Sequence, residues 1–507
     1  MASSNCRTVF HVVLNGNVFA DAHQRRRRIA VWLTALFCFG FIEFGSGAEM
    51  GALGSDVPDP ESNTFDAIVA PLLFEKCLGC HGGATIEGGY SVADTSKLFR
   101  PGDSGAMPIS HEQLESSELL VRITAKDPTT RMPLDGEPLT DLEIAGFRRW
   151  IASGAPLSRS EEKTSLAEIY GRAKSSARAP LHYARPLPIS SLLLSPDSQQ
   201  LLVGGYSEII VWNIETQALD SRIPVRGRMV SDIDWAPGGV LVVASGTPGK
   251  FGVLEAFDFK TQRQIASFGF SRDVCTCIAP SPYRNEIAAG FADGSVALYS
   301  LDNFNVRAES VPHAAAITSL FWASKGNRIL TASIDRSAKS FDSKDMQLLF
   351  AYAENERTVS GVVDSQYGAI TIDETGVMRV WSEGDEARSL AKKDGLPQKV
   401  QPIASANGIV FVPDHGKIRK LFIVQDEVVD EKETKKDNAE ASKPKMKTRT
   451  RWREHDALQS SPNQSILSLS ANRKGAVAAG LDNGQVVIWL DENTTSPSRT
   501  WLAFPHQ

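Results

Sequence analysis

Two hydrophobic periodicities divide the chain. From Phe65 to about Leu157 apolar residues recur at helical spacing, whereas from Ile189 onward short apolar runs alternate with turn residues. The change of period predicts a multidomain chain: a small all-α domain at 64–157, a helical linker at 158–180 and an all-β domain at 181–507. The last helix of the small domain is the best marked. Thr140-Asp141-Leu142-Glu143 spells a capping box, and Ile144, Phe147, Trp150 and Ile151 make one stripe suited to packing on Ile68, Leu72 and Leu73. Gly154 and Pro156 stop it, and Ser160-Glu161-Glu162 offers a helix start within the linker.

The β half is a repeat. Its clearest copies are Ile189–Trp212, Val274–Tyr299 and Ile466–Trp489, with weaker ones at Val230–Phe257, Ile317–Phe341, Val359–Trp381 and Ile403–Leu421. From Tyr299 the third-strand residues Phe341, Trp381 and Leu421 follow at spacings of 42, 40 and 40 residues. A four-stranded unit cannot bury both faces alone, so the units must close into a ring. In this the region resembles the WD-repeat proteins, which implies a β-propeller, and seven copies imply seven blades. The Trp-Asp pair of that family stands here as Trp212-Asn213, Trp381-Ser382 and Trp489-Leu490, and of its histidines only His313 is placed as expected. Turn aspartates recur as Asp293, Asp335, Asp373, Asp414 and Asp482, each able to accept backbone N–H bonds. Between the last two copies a charged segment, 426–453, is acidic and then basic; too polar to bury itself, it reads as a solvated loop.

At the N-terminus, Arg25 to Arg28 precede the apolar run Ile29 to Ile42 and the small residues Ser46-Gly47-Ala48, the pattern of a signal peptide over 1–48. A flexible leader follows at 49–63. The apolar run is short for a membrane crossing, so no stable span is expected after cleavage, and an uncleaved segment would instead tether the protein. The expected location is periplasmic or elsewhere in the cell envelope. A net charge of -6 argues against nucleic acid as a partner. Four of the 6 cysteines lie beyond the signal, too few for a disulfide scaffold in so long a chain. Cys275 and Cys277, two apart in a strand-like run, are expected on one face as packing residues.

The other two carry chemistry. Cys77-Leu78-Gly79-Cys80-His81 is the attachment motif of a c-type haem: on a helix the two thiols share a face and can form thioethers with the porphyrin vinyl groups, while His81 offers an imidazole to the iron. A thioredoxin-type pair would need a βαβ context, and a zinc site a second ligand pair; only isolated His111 follows. For the distal iron ligand Met132, in Arg131-Met132-Pro133, precedes the closing helix and is preferred to Met107, in Ala106-Met107-Pro108. The expected cofactor is one covalent haem c.

Residues 65–157 resemble the Planctomycete cytochrome C domain through Ala70-Pro71-Leu72-Leu73, the haem motif, Gly88-Gly89-Tyr90-Ser91-Val92, Pro101-Gly102-Asp103, Ser116 to Ile123, Arg131-Met132-Pro133, and Trp150 to Pro156. The resemblance implies thioethers at Cys77 and Cys80, a proximal His81 and a distal Met132; Leu134 departs from the second proline usual there. Three functions stay open. The first is single-electron transfer to a redox partner protein, with a protein partner docked on the propeller face. The second is a propeller scaffold with a redox-sensing or structural haem domain. The third, a redox enzyme, lacks a visible constellation, because His182, His313, His415, His455 and His506 are scattered singly.

Overall fold

The small domain begins with a helical run built from Phe65–Val69, Ala70–Leu72, Leu73–Cys77 and Leu78–His81, the first and third segments wound as wider π-type turns. It is seen in a computed structural model that describes residues 65–504 apart from 83–84, 135, 158–163, 174–178, 272, 324, 353–358, 383–387, 397–402, 430–445 and 461–462. The signal peptide, the leader, the linker start at Ser160 and His506 lie outside the described residues.

The closing helix is Asp141–Ala152, and its capping box forms as the sequence dictates: the Glu143 carboxylate accepts from Thr140 N at 2.7 Å, and Glu143 N donates back to Thr140 Oγ1 at 3.3 Å. Phe147, Trp150 and Ile151 are fully buried, with Trp150 tilted against Phe65 at 5.2 Å between centroids. Gly146 permits the close packing, since a Cβ there would sit 2.6 Å from Ile68 Cγ2. Beyond it the helix Leu166–Ala173 lies on the strands Phe251–Asp258 and Arg263–Ser271, so Phe251 and Val253 belong to the same core as the small domain.

The β half forms antiparallel sheets whose strands follow one another in chain order. Five are discrete four-stranded blades, at 275–310, 317–352, 359–393, 404–459 and 466–502. The expectation of seven separate blades is corrected at the first two copies, which merge into one seven-stranded sheet at 192–271. The cause is the single strand Leu219–Ala236: its first half pairs with Tyr206–Asn213 and its second half with Val240–Thr247, where the repeat pattern predicts a break. The last sheet packs on the first. Leu194 N donates to Ser470 Oγ at 2.9 Å, Ser468 Oγ to Ile189 O at 2.7 Å, and Trp212 Nε1 to Ala503 O at 3.0 Å, around a shared apolar core.

Three local expectations change. Cys275 and Cys277 are both buried, but a bulge between Gly290 and Phe291 sends them to different cores, one shared with Ala244 and Leu254, the other with Ala288 and Ile317. The charged segment is not simply a loop, because its ends extend the strands Lys417–Val429 and Met446–Gln459. Acidic and basic residues face across that hairpin, with Asp426 opposite Arg449 and 2.5 Å from Arg451 Nε, so backbone pairing and cross-strand charge order what burial cannot. Of the turn aspartates, Asp293, Asp335 and Asp373 accept backbone N–H bonds as expected, whereas Asp414 binds His415 at 2.8 Å and Asp482 yields the role to Asn483.

Candidate functional site

Cys77, Cys80 and His81 share one helical turn, Leu78–His81 with Cys77 as its N-cap. The residues diverge in environment. Cys80 is exposed, while Cys77 is half-buried and its thiol is pushed up to about 12 by burial, against the opposing pull of the Lys76 charge. Lys76 is itself anchored to Glu143 on the closing helix at 3.1 Å, which ties the motif turn to that helix.

His81 is oriented from behind. Its Nδ1 lies 3.2 Å from the Tyr90 carbonyl, its own carbonyl accepts from Val92 N at 2.7 Å, and its ring meets the Tyr90 ring edge-on at 5.8 Å. A carbonyl only accepts, so Nδ1 carries the proton and the lone pair is left on Nε2, free to meet a metal ion. Tyr90 is fixed in turn by donating to Leu98 O at 3.1 Å; burial, and then the nearby Cys77, push its phenol pKa upward. The donor set, two neighbouring thiols beside an imidazole with a free Nε2, fits a thioether-linked porphyrin and its iron.

The two candidate methionines differ in exposure. Met132 is half-buried in a loop held by its N–H to Arg122 O at 3.0 Å, and Met107 is 52% exposed. Among the described residues the ring of His81 has Tyr90 as its partner. Sequence reasoning missed three contributors here: Tyr90, Lys76 and Tyr170. Tyr170 stacks on Phe74 at 4.0 Å, donates to Glu75 Oε1 at 2.7 Å and meets Phe251 of the propeller edge-on at 6.3 Å. Only the Gly88-Gly89-Tyr90 stretch carried a signal for any of them.

The described propeller histidines sit in separate surroundings. His313 is enclosed in its blade, with Nδ1 3.0 Å from Asp335 and Nε2 2.8 Å from Thr331 Oγ1; His415 and His182 are exposed, and His455 stacks on Phe422 at 4.4 Å. Among the described residues no group of three or more His, Cys, Asp or Glu side chains is arranged to hold a metal, and no helix is long and apolar enough to cross a membrane.

Comparison with known proteins agrees with this division. Residues 77–136 match the family model described as Planctomycete cytochrome C, and residues 307–342 match that of the WD domain, G-beta repeat. Among curated relatives, Actin-interacting protein 1-2 of Arabidopsis thaliana is 25% identical over 167 residues, which is 32% of this chain and 27% of that protein. WD repeat-containing protein 90 of Xenopus tropicalis is 28% identical over 108 residues, 19% of this chain and 6% of that one. The Denticleless protein homolog of Gallus gallus is 27% identical over 153 residues, 29% and 21% respectively. The chain thus spans less than a third of the length of each relative. Residues 77–136 are thus similar to Planctomycete cytochrome C, and the β half is a propeller with a WD-repeat match at 307–342.

Proposed function

We propose that this protein is an exported c-type cytochrome that carries one covalent haem for single-electron transfer and uses its propeller as a protein-docking platform. The observation that supports it most directly is the Cys77–Cys80–His81 turn with Nδ1 of His81 committed to the Tyr90 carbonyl. In this reading Cys77 and Cys80 hold the ring as thioethers, His81 is the proximal ligand through Nε2, and Met132 is the distal one. The haem supplies one-electron chemistry when bound; the chain holds it in place, orients the imidazole and screens the site from water with the closing-helix stripe. The propeller's WD-repeat character supports a protein partner on its face, and the family match supports export to a periplasmic or envelope compartment. The bridge made by Tyr170 from Phe74 and Glu75 to Phe251 favours a second reading, in which the haem domain reports its redox state to the propeller.

The test is expression with a haem-attachment pathway, followed by the mass and spectra of the purified protein. Mass increased by one haem, lost in Cys77→Ala/Cys80→Ala, supports the attachment. A weak far-red ferric band lost in Met132→Ala and kept in Met107→Ala supports the distal ligand; a colourless, iron-free protein matured in its own compartment overturns the proposal.

A further inference from the structure

We propose that the cavity beside the closing helix receives the propionate-bearing edge of the haem, with the Arg131 guanidinium as its carboxylate partner; this rests on the haem reading above. The cavity has a volume of about 550 Å³, with apolar walls such as Ile123 and Ile144 and a polar lining of Lys126, Arg131, Arg148 and one carboxylate, Asp141. The cations are not equivalent. Arg148 is already paired with Glu115, whereas Arg131 Nε is buried and has no hydrogen-bond partner among the described residues. A buried guanidinium N–H left unmatched is unfavourable until an acceptor arrives, and a carboxylate matches its fork in two parallel bonds.

Cys77, Cys80, His81 and Met132 do not line this cavity, but its lining is tied to them through neighbours along the chain. Lys76, next to Cys77, is paired with Glu143, whose neighbour Ile144 forms a wall; Arg131 directly precedes Met132. A porphyrin carries its vinyl-derived carbons and its propionates on different sides, so a ring fixed at Cys77 and Cys80 directs its acids away from those thioethers, where a cationic pocket can receive them. A cation held there stabilises the ferrous state, in which the iron bears one positive charge less, and so raises the reduction potential.

The experiment uses the full chain matured with haem, comparing wild type, Arg131→Gln and Arg131→Lys by spectroelectrochemical titration and by the Raman bending mode of the propionates. The expected result is a lower potential and a shifted propionate mode in Arg131→Gln, partial recovery in Arg131→Lys, and unchanged covalent haem content. Equal potentials and unshifted modes in all three haem-loaded proteins overturn the inference and leave the haem reading standing; a wild type without haem overturns both. Should Arg131→Gln fail to fold, the Lys variant decides on the Raman mode alone. If the guanidinium served an acidic partner protein instead, only the salt dependence of electron exchange would change, and that outcome also refutes the propionate assignment.

Discussion

Glu208 is 1% exposed and carries a full set of partners: Arg222 Nε at 2.6 Å, Arg222 Nη2 at 2.7 Å and the Tyr183 hydroxyl at 2.6 Å. Arg222 also donates to Leu181 O at 2.8 Å and to Pro180 O, so one guanidinium holds the incoming linker and neutralises a buried carboxylate. Removing one member of a buried ion pair costs roughly 3–5 kcal/mol, because the other charge stays behind without its partner. Arg222 is 25% exposed and Tyr183 remains bonded, which places Arg222→Met at the lower end, about 3 kcal/mol. Glu208→Met/Arg222→Met leaves no buried charge; it loses the bonds to the carbonyls at 180 and 181, where water can replace them, and should cost only about 1 kcal/mol. The assay is urea unfolding of the full chain by fluorescence and circular dichroism, with coincident transitions required before midpoints are converted to free energies. A double variant as unstable as Arg222→Met alone, or an Arg222→Met loss under about 1 kcal/mol, would refute the reasoning.

The remaining predictions concern other seams. His313 is held neutral: burial lowers its pKa, and the attraction of Asp335 only partly opposes this, so below the ordinary histidine value of about 6.5 the unfolded chain takes up a proton that the fold refuses. Stability should therefore fall as pH drops through and below that value and be flat above it, and His313→Gln should flatten the acid slope of an unfolding titration; an unchanged slope counts against it. In protein made without haem attachment, iodoacetamide should modify Cys80 well before Cys77, whose thiol at about 12 is about one part in ten thousand thiolate at pH 8; peptide mass mapping showing equal rates would contradict this. Gly146→Ala should destabilise by about 1–2 kcal/mol through the 2.6 Å approach to Ile68, but should become neutral or stabilising in an Ile68→Ala background, where alanine's helix propensity is freed from the clash. Tyr170→Ala should cost about 3–4 kcal/mol and Tyr170→Phe about 1 kcal/mol in thermal unfolding of the small domain; equal losses would mean that the stacking on Phe74 is not what matters.

What the sequence disclosed follows the range of each interaction. The closing helix was legible to the residue, because Thr140 and Glu143 satisfy each other within a single turn and the Phe147, Trp150 and Ile151 stripe needs only 3.6-residue geometry. The shared turn of Cys77, Cys80 and His81 was legible for the same reason: the three residues lie within five positions. The orientation of His81 was not, since it depends on a carbonyl nine residues away with no side-chain signature. Blade count failed where two copies share one strand. Gly227 lets that strand pass so close to Gly246 that a Cβ would meet its backbone, and such a fit is tertiary information. The charged hairpin was misread because a composition rule weighs burial and ignores a cross-strand partner of opposite sign, here Asp426 against Arg451.

The contacts of Tyr170 bear on how the two halves work as one molecule. Its ring lies between Phe74, three residues before Cys77, and Phe251 on a strand that borders the helix Leu166–Ala173, while its hydroxyl holds Glu75. Any shift of the strand Phe251–Asp258 therefore reaches the motif turn through one side chain that is 1% exposed and has no room to absorb it. Lys76, on the same turn, is held from the other side by Glu143 of the closing helix. The turn that bears Cys77, Cys80 and His81 is thus clamped between its own domain and the propeller. A displacement of either contact can thus be passed to the turn that holds His81 and Cys77, and through it the two halves are in mechanical contact.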